Sequence, residues 1–224
     1  MQLYRQLRPV FERVNVVGVD ISGKALALAR ENLAHNSRLG LLQPQPPRTI
    51  RFLQADVFSD EQLKGPLTLK EKEEWDLLTC NPPYISHEGY ARDTGRSVRN
   101  HEPKLALVPD DRLHAAYVAS PSSSGLACEP EDVFYARLLD IIGTLKPRRA
   151  LMEVADMEQA KRVVTMLSTK AGLRDAYRDV QIWRDWPEDH DFEGDVETTT
   201  VFAVPVRGAG NGRSVYVRRS DLVE

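Results

Sequence analysis

Asn15-Val16-Val17-Gly18-Val19-Asp20 is a short apolar run closed by an acid, and the segments that follow it decide the fold. The run suits a strand buried on both faces of a parallel sheet, since such strands read as continuous hydrophobic stretches rather than alternating ones. Ser22 can cap the next segment, where Ala25, Leu28, Ala29 and Leu33 recur at helical spacing as far as Asn36, before the breaker-rich stretch from Gln43 to Pro47. The pattern then repeats. Ile50 to Ala55 reads as a strand ending at Asp56, and Trp75 to Cys80 as another ending at Asn81-Pro82-Pro83-Tyr84. Between them, Lys70 to Glu74 reads as a solvated charge run.

Downstream, Phe134, Leu138, Ile141, Ile142 and Leu145 mark a helix closed by Pro147, followed by a strand around Ala150 to Val154. A further helix runs from about Asp156 to a stop at Gly172, with Met157, Ala160, Val164 and Leu167 inward. Val180 to Trp183 and Thr198 to Val206 supply two last strands. Strands alternating with helices argue for an α/β fold with a largely parallel sheet.

The chain has 224 residues, of which 42% are hydrophobic, enough for one sizeable core. We expect one domain over 1–207, with an insertion at about 108–131 that includes a surface loop from Ser120 to Glu131, and a loose tail over 208–224. In that tail Gly208-Ala209-Gly210-Asn211-Gly212 superficially copies a Gly-x-Gly-x-Gly loop, but no helical pattern follows it. Met1 to Val14 is amphipathic and reads as a fragment of helix.

Thirty basic against thirty-three acidic residues leave a net charge of −3, which argues against non-specific nucleic-acid binding. Cys80 and Cys128 cannot build a disulfide framework, and no apolar run approaches the roughly 20 residues that span a bilayer. The composition suits a reducing, aqueous compartment. The histidines at 35, 87, 101, 114 and 190 lack ligand spacing, so no metal is expected, and neither a Gly-x-Ser-x-Gly turn nor a Gly-Lys-Ser/Thr string is present.

In open α/β sheets the ligand crevice lies beyond the carboxyl ends of the strands, which singles out Asp20, Asp56 and Asn81. A carboxylate there can accept hydrogen bonds from the two hydroxyls of a ribose; the plainer reading of Asp20 is that it begins a turn. Asn81-Pro82-Pro83-Tyr84-Ile85 is the most specific string in the chain. Pro82 removes a backbone donor and pushes Asn81 into an extended conformation, so the carbonyls of Asn81 and Pro82 point in fixed directions. The Asn81 side-chain oxygen and the Pro82 carbonyl can then take both hydrogens of a planar NH2 group, and Tyr84 offers a flat face to a planar amide or a nucleobase. A conjugated amino nitrogen is a poor nucleophile, so fixing its trajectory is the main lever, and no strong general base is needed because the nitrogen acidifies as it bonds to carbon.

Asn81-Pro82-Pro83-Tyr84 after a strand, downstream of a strand ending in Asp20, resembles the class I S-adenosylmethionine-dependent amino-group methyltransferases. Within these, Val98 to Leu107, with Glu102-Pro103 and Ala106-Leu107, is similar to a segment of the HemK/PrmC-like release-factor glutamine methyltransferases, and Leu151-Met152-Glu153-Val154 with Gln159-Ala160 resembles a later one. The similarity covers roughly Asn15 to Val206.

The resemblance implies a Rossmann-like, mostly parallel sheet and transfer of a methyl group from S-adenosylmethionine to a glutamine side-chain nitrogen in the Gly-Gly-Gln loop of a peptide-chain release factor. Asp20 and Ile21 would then hold the ribose part of the cofactor, Asp56 and Val57 the adenine, and Asn81 would touch the cofactor as well. Asn81, Pro82, Pro83 and Tyr84 would cradle the glutamine, with Asn81, Pro82 and Tyr84 governing catalysis, and His101, Glu102 and Pro103 would brace the pocket. Such enzymes begin with a central strand and a Gly-rich loop, whereas the residues before Asp20 read as the helix that should follow that loop. The chain is therefore expected to be incomplete at its N-terminus, with two strand edges unpaired. The setting implied is intracellular, cytoplasmic or mitochondrial, with no membrane and no direct nucleic-acid partner. The rival readings are an adenine-amino methyltransferase and a non-catalytic remnant that binds a partner.

Overall fold

The computed structural model describes residues 2–7, 11, 13–42, 49–68, 73–120, 127–170, 172–187 and 204–220. It divides into two compact units, 1–68 and 69–224, where the sequence suggests one domain over 1–207. The physical reason is in the sheets, because no strand is shared between them: one sheet has two strands and the other has five.

The first unit contains α1 (Gln2–Leu7), β1 (Val16–Asp20), α2 (Gly23–Arg38), β2 (Ile50–Gln54) and α3 (Asp60–Leu63). β1 and β2 pair in parallel from Val16 opposite Ile50 to Asp20 opposite Gln54. Ser22 caps α2, its hydroxyl oxygen accepting the Ala25 N–H at 3.2 Å, which satisfies one of the helix's orphan donors. Val14, Leu33, Leu42 and Ile50 form the core, with Leu7, Val16 and Phe52 packed against it. The buried face of α2 is set by Leu26 and Leu33, two turns apart. Leu28, expected on the inner face, is 57% exposed.

The second unit runs β3 (Leu77–Cys80), α4 (His87–Arg92), α5 (Arg96–His101), α6 (Asp111–Ala119), α7 (Val133–Leu145), β4 (Arg149–Glu153), α8 (Met157–Thr169), α9 (Leu173–Ala176), β5 (Asp179–Trp186), β6 (Val206–Arg207) and β7 (Ala209–Arg218). The sheet order is β3-β4-β7-β5-β6. β3 and β4 are parallel, β7 is antiparallel to both β4 and β5, and β6 is parallel to β5, so β7 alone is reversed. β1 and β2 are the edges of one sheet and β3 and β6 those of the other, so among the described residues each has a single ladder partner.

Residues expected as a loose tail are the middle of this sheet. β7 buries Val215 and Val217 completely between β4 and β5. Its glycines permit close approach of neighbouring backbone rather than forming a Gly-x-Gly-x-Gly loop. Gly208 has φ 85°, and a Cβ there would run into the Trp186 carbonyl, while a Cβ on Gly212 would come 2.9 Å from the Met157 Cα. The register between β5 and β7 shifts around Arg184, as a bulge requires. Within 108–131, expected as an insertion, α6 is a regular helix capped by the Asp110 carboxylate, and 121–126 lie outside the described residues. Most of the expected strand from Thr198 to Val206 lies outside the described residues, as do Gln43 to Pro47 and Lys70. Of the charge run, Glu74 is not merely solvated: its carboxylate accepts from Arg148 Nε at 3.0 Å and Arg219 Nη2 at 2.8 Å, tying the approach to β3 to the ends of β4 and β7. These two guanidiniums, Arg219 foremost, hold its carboxyl below the usual range.

No described helix is long and apolar enough to cross a membrane.

Candidate active site

In the first unit the two acids that close the strands sit at adjacent strand ends. The Asp20 carbonyl accepts the Ala55 N–H at 3.1 Å, extending the ladder to the residue before Asp56. Asp20 Oδ1 accepts the Ser22 N–H at 2.7 Å, so the turn-forming role is real. A carboxylate has a second oxygen, and Oδ2 has no partner among the described residues. Ile21 beside it is 53% exposed. Asp56 is more committed: its Oδ1 accepts from the Phe58 N–H at 2.9 Å and its N–H donates to Gln62 Oε1 at 2.8 Å. Val57 is half-buried in that turn.

In the second unit, the carboxyl ends of β3, β4 and β5 and the start of the reversed β7 surround a cavity of about 490 Å³. It is lined by Cys80, Asn81, Glu153, Asp185 and Arg213, among others. Asn81 is exposed to it, as a residue that grips a ligand must be. Pro82 is buried and Pro83 and Tyr84 are half-buried, and these three support the corner rather than line the cavity.

The corner is anchored by polar contacts on Tyr84. Its phenol donates to Glu153 Oε1 at 3.0 Å, and its carbonyl accepts from Gln159 Nε2 at 3.2 Å. Burial, reinforced by the Glu153 carboxylate, pushes the Tyr84 phenol up to about 12, so it stays a neutral donor at physiological pH. Ultraviolet titration should therefore show one of the seven tyrosines ionising near pH 12, a step that Tyr84→Phe removes. The folded chain keeps a proton that the unfolded chain loses from about pH 10, so this group's contribution to stability falls as pH rises from about 10 to about 12. A Tyr84 step at the ordinary tyrosine value would show the phenol unbound by Glu153.

Burial also pushes the Cys80 thiol up to about 12, which leaves it a neutral thiol at pH 7 rather than a nucleophile. Across the cavity Arg213 Nε donates to Asp185 Oδ1 at 2.6 Å and its Nη1 to the Ala155 carbonyl at 3.2 Å. The backbone N–H of Asn211 and then the Arg213 guanidinium hold the Asp185 carboxyl below its usual range.

The bracing expected of His101, Glu102 and Pro103 comes from elsewhere. All three are exposed, and the contact to the corner is made by the Leu107 carbonyl, which accepts the Ile85 N–H at 2.9 Å. Glu153, Gln159, Asp185 and Arg213 carry no role in the sequence reading. Glu153 obeys the rule that singled out Asp20 and Asp56, an acid closing a buried strand, whereas Asp185 and Arg213 meet only through the β5–β7 pairing.

No protein-family model matches the chain. Curated proteins do. Over 93 residues it is 38% identical to a probable MRF1 mitochondrial N(5)-glutamine methyltransferase of Schizosaccharomyces pombe, covering 42% of this chain and 27% of that protein. It is 33% identical over 123 residues to the release factor glutamine methyltransferase of Chlorobaculum tepidum, covering 50% of this chain and 36% of the other. The chain is a homologue of the HemK/PrmC-like glutamine methyltransferases. A ribosomal protein uL3 glutamine methyltransferase of Francisella tularensis is 34% identical over 108 residues, covering 48% of the chain and 28% of that protein. The chain thus spans between about a quarter and two fifths of the length of these methyltransferase relatives.

Proposed function

We propose that the chain acts as a protein-glutamine N-methyltransferase, holding a glutamine side-chain amide of a peptide-chain release factor for methylation by S-adenosylmethionine. The observation that carries this reading is the Asn81-Pro82-Pro83-Tyr84 corner. It ends a parallel strand at the rim of a cavity, with Asn81 facing in and Tyr84 tied down at both its phenol and its carbonyl. The names of the homologues, which act on glutamine, point to an amide rather than an adenine as the NH2 group held.

S-Adenosylmethionine supplies a methyl carbon on a sulfonium, an electrophile that needs no metal or redox partner. The residues of the first unit fit such a molecule: Asp20 offers one carboxylate oxygen without a partner among the described residues, next to exposed apolar surface at Ile21. Asp20 would accept from the ribose hydroxyls, and Asp56 and Val57 would border the adenine. In the second unit the Asn81 side-chain oxygen and the Pro82 carbonyl would accept the two amide hydrogens and aim the nitrogen. S-Adenosylmethionine, when bound, would supply the methyl carbon to that nitrogen, whose surplus proton would leave to water as the carbon–sulfur bond breaks. Mitochondrial relatives make a mitochondrial or cytoplasmic setting the natural one.

Two measurements test this. Calorimetry is expected to show S-adenosylmethionine binding that Asp20→Ala weakens about 10- to 100-fold, the worth of a charge-assisted hydrogen bond. Absence of binding to the unaltered chain would favour the non-catalytic reading. Labelled cofactor offered with a release factor, ribosomal protein uL3 or nucleic acid should label the release factor. Label on uL3 would move the substrate within the glutamine class, and label on nucleic acid alone would overturn the proposal.

A further inference from the structure

Gln159 is 2% exposed, and its carboxamide is used on both sides. Oε1 accepts the Ala155 N–H at 2.8 Å, with the Tyr135 hydroxyl 3.4 Å away. Nε2 donates to the Tyr84 carbonyl at 3.2 Å and to Asp132 Oδ1 at 2.9 Å. Asp132, only 1% exposed, is itself held by Arg162, whose Nε donates to Oδ2 at 2.5 Å and whose Nη2 donates to Oδ1 at 3.1 Å. Tyr135 completes the set by donating to the Glu153 carbonyl at 2.6 Å.

One peptide unit receives the output of this network. The Tyr84 carbonyl and the Ile85 N–H belong to the same peptide plane; the carbonyl is held by Gln159 and the N–H by the Leu107 carbonyl at 2.9 Å. A plane fixed at both ends cannot rotate about its flanking bonds, and the two prolines transmit that constraint back to Asn81 because their φ angles are locked. Asp132 orients the carboxamide in turn. With its Oδ1 as acceptor on one side, Nε2 must face it, and only then does the second N–H reach the Tyr84 carbonyl.

We propose that Gln159, oriented by the buried Asp132–Arg162 pair, is the positioning residue that sets the direction of the Asn81-Pro82 acceptor corner. It touches neither substrate nor cofactor, and it acts through the Tyr84–Ile85 peptide. The inference rests on the reading of that corner as the site that holds the amide.

The test uses the whole chain with Gln159→Met, which keeps length and burial but removes both donors. Amide hydrogen exchange at Ile85 should speed up at least about fivefold relative to Met152 in β4, the loss expected for one hydrogen bond. With a release factor as acceptor, kcat should fall about 10- to 100-fold while KM moves less than about threefold, the pattern of a misaimed but still bound group. Val163→Ala, in the same helix and fully buried, controls for mere destabilisation and should change neither the Ile85 ratio nor kcat by more than about twofold. An unchanged Ile85 ratio in Gln159→Met overturns the inference. Should that variant not fold, the unaltered chain decides, because the Gln159 side-chain NH2 must exchange slowly, and fast exchange of those protons is equally fatal. If the unaltered chain transfers no methyl group at all, the functional reading fails, while the exchange results still decide whether Gln159 fixes the corner.

Discussion

Replacing Asn81 by alanine is expected to lower the methyl-transfer rate about 100- to 1000-fold with little change in KM for the protein substrate. The amide nitrogen becomes electron-poor as it bonds to carbon, so its N–H groups become stronger donors on the way to the transition state. An acceptor aimed at them, the Asn81 side-chain oxygen, is therefore worth more in the transition state than in the bound ground state, and its removal appears in kcat. Loss of a single preorganised electrostatic contact of this kind commonly costs about 100- to 1000-fold. Asn81 also lines the cavity directly, so truncation removes the grip without opening the core. Steady-state kinetics of Asn81→Ala beside the unaltered chain make the comparison. A rise in KM at constant kcat would show Asn81 to be a docking contact only.

The second large effect concerns stability. Ending the chain at Arg207 is expected to abolish cooperative unfolding of the second unit, because β7 is the antiparallel partner of both β4 and β5. Val215 and Val217 are fully buried, and each such side chain contributes about 1.5–3 kcal/mol. Their loss, with two strand edges left open in the middle of a sheet, consumes most of the roughly 5–15 kcal/mol that stabilises a domain. Circular dichroism melts of the shortened and full chains measure it. An unchanged transition would mean that residues 208–220 are dispensable.

The misreading of β7 has a definite origin. Its second half alternates buried Val215 and Val217 with Ser214, Tyr216 and Arg218, which is the period of a strand with one face inward. The glycines at 208, 210 and 212 obscured that signal, since glycine is depleted in strands, and here they serve a bulge and a close approach to α8. By contrast β1, β3, α7 and α8 were legible because buried strands and amphipathic helices leave long periodic traces, and α8 does begin just after Asp156, whose carboxylate caps it. The strand-end positions of Asp20, Asp56 and Asn81 were legible because an apolar run that stops at a polar residue marks where a buried strand ends. The network behind them was not. Gln159, Asp132 and Arg162 come together only when α7 and α8 pack, and nothing in a single sequence reports which buried polar groups meet. Nor does periodicity reveal that β1 and β3 belong to separate sheets.

Fragment mass spectrometry of a release factor incubated with the chain and S-adenosylmethionine tests the role of the corner most directly. One methyl group on the side-chain nitrogen of the Gly-Gly-Gln glutamine, present with the unaltered chain and missing with Asn81→Ala, is the outcome expected. A methyl group found on any other residue, or deposited equally by both forms, would contradict it.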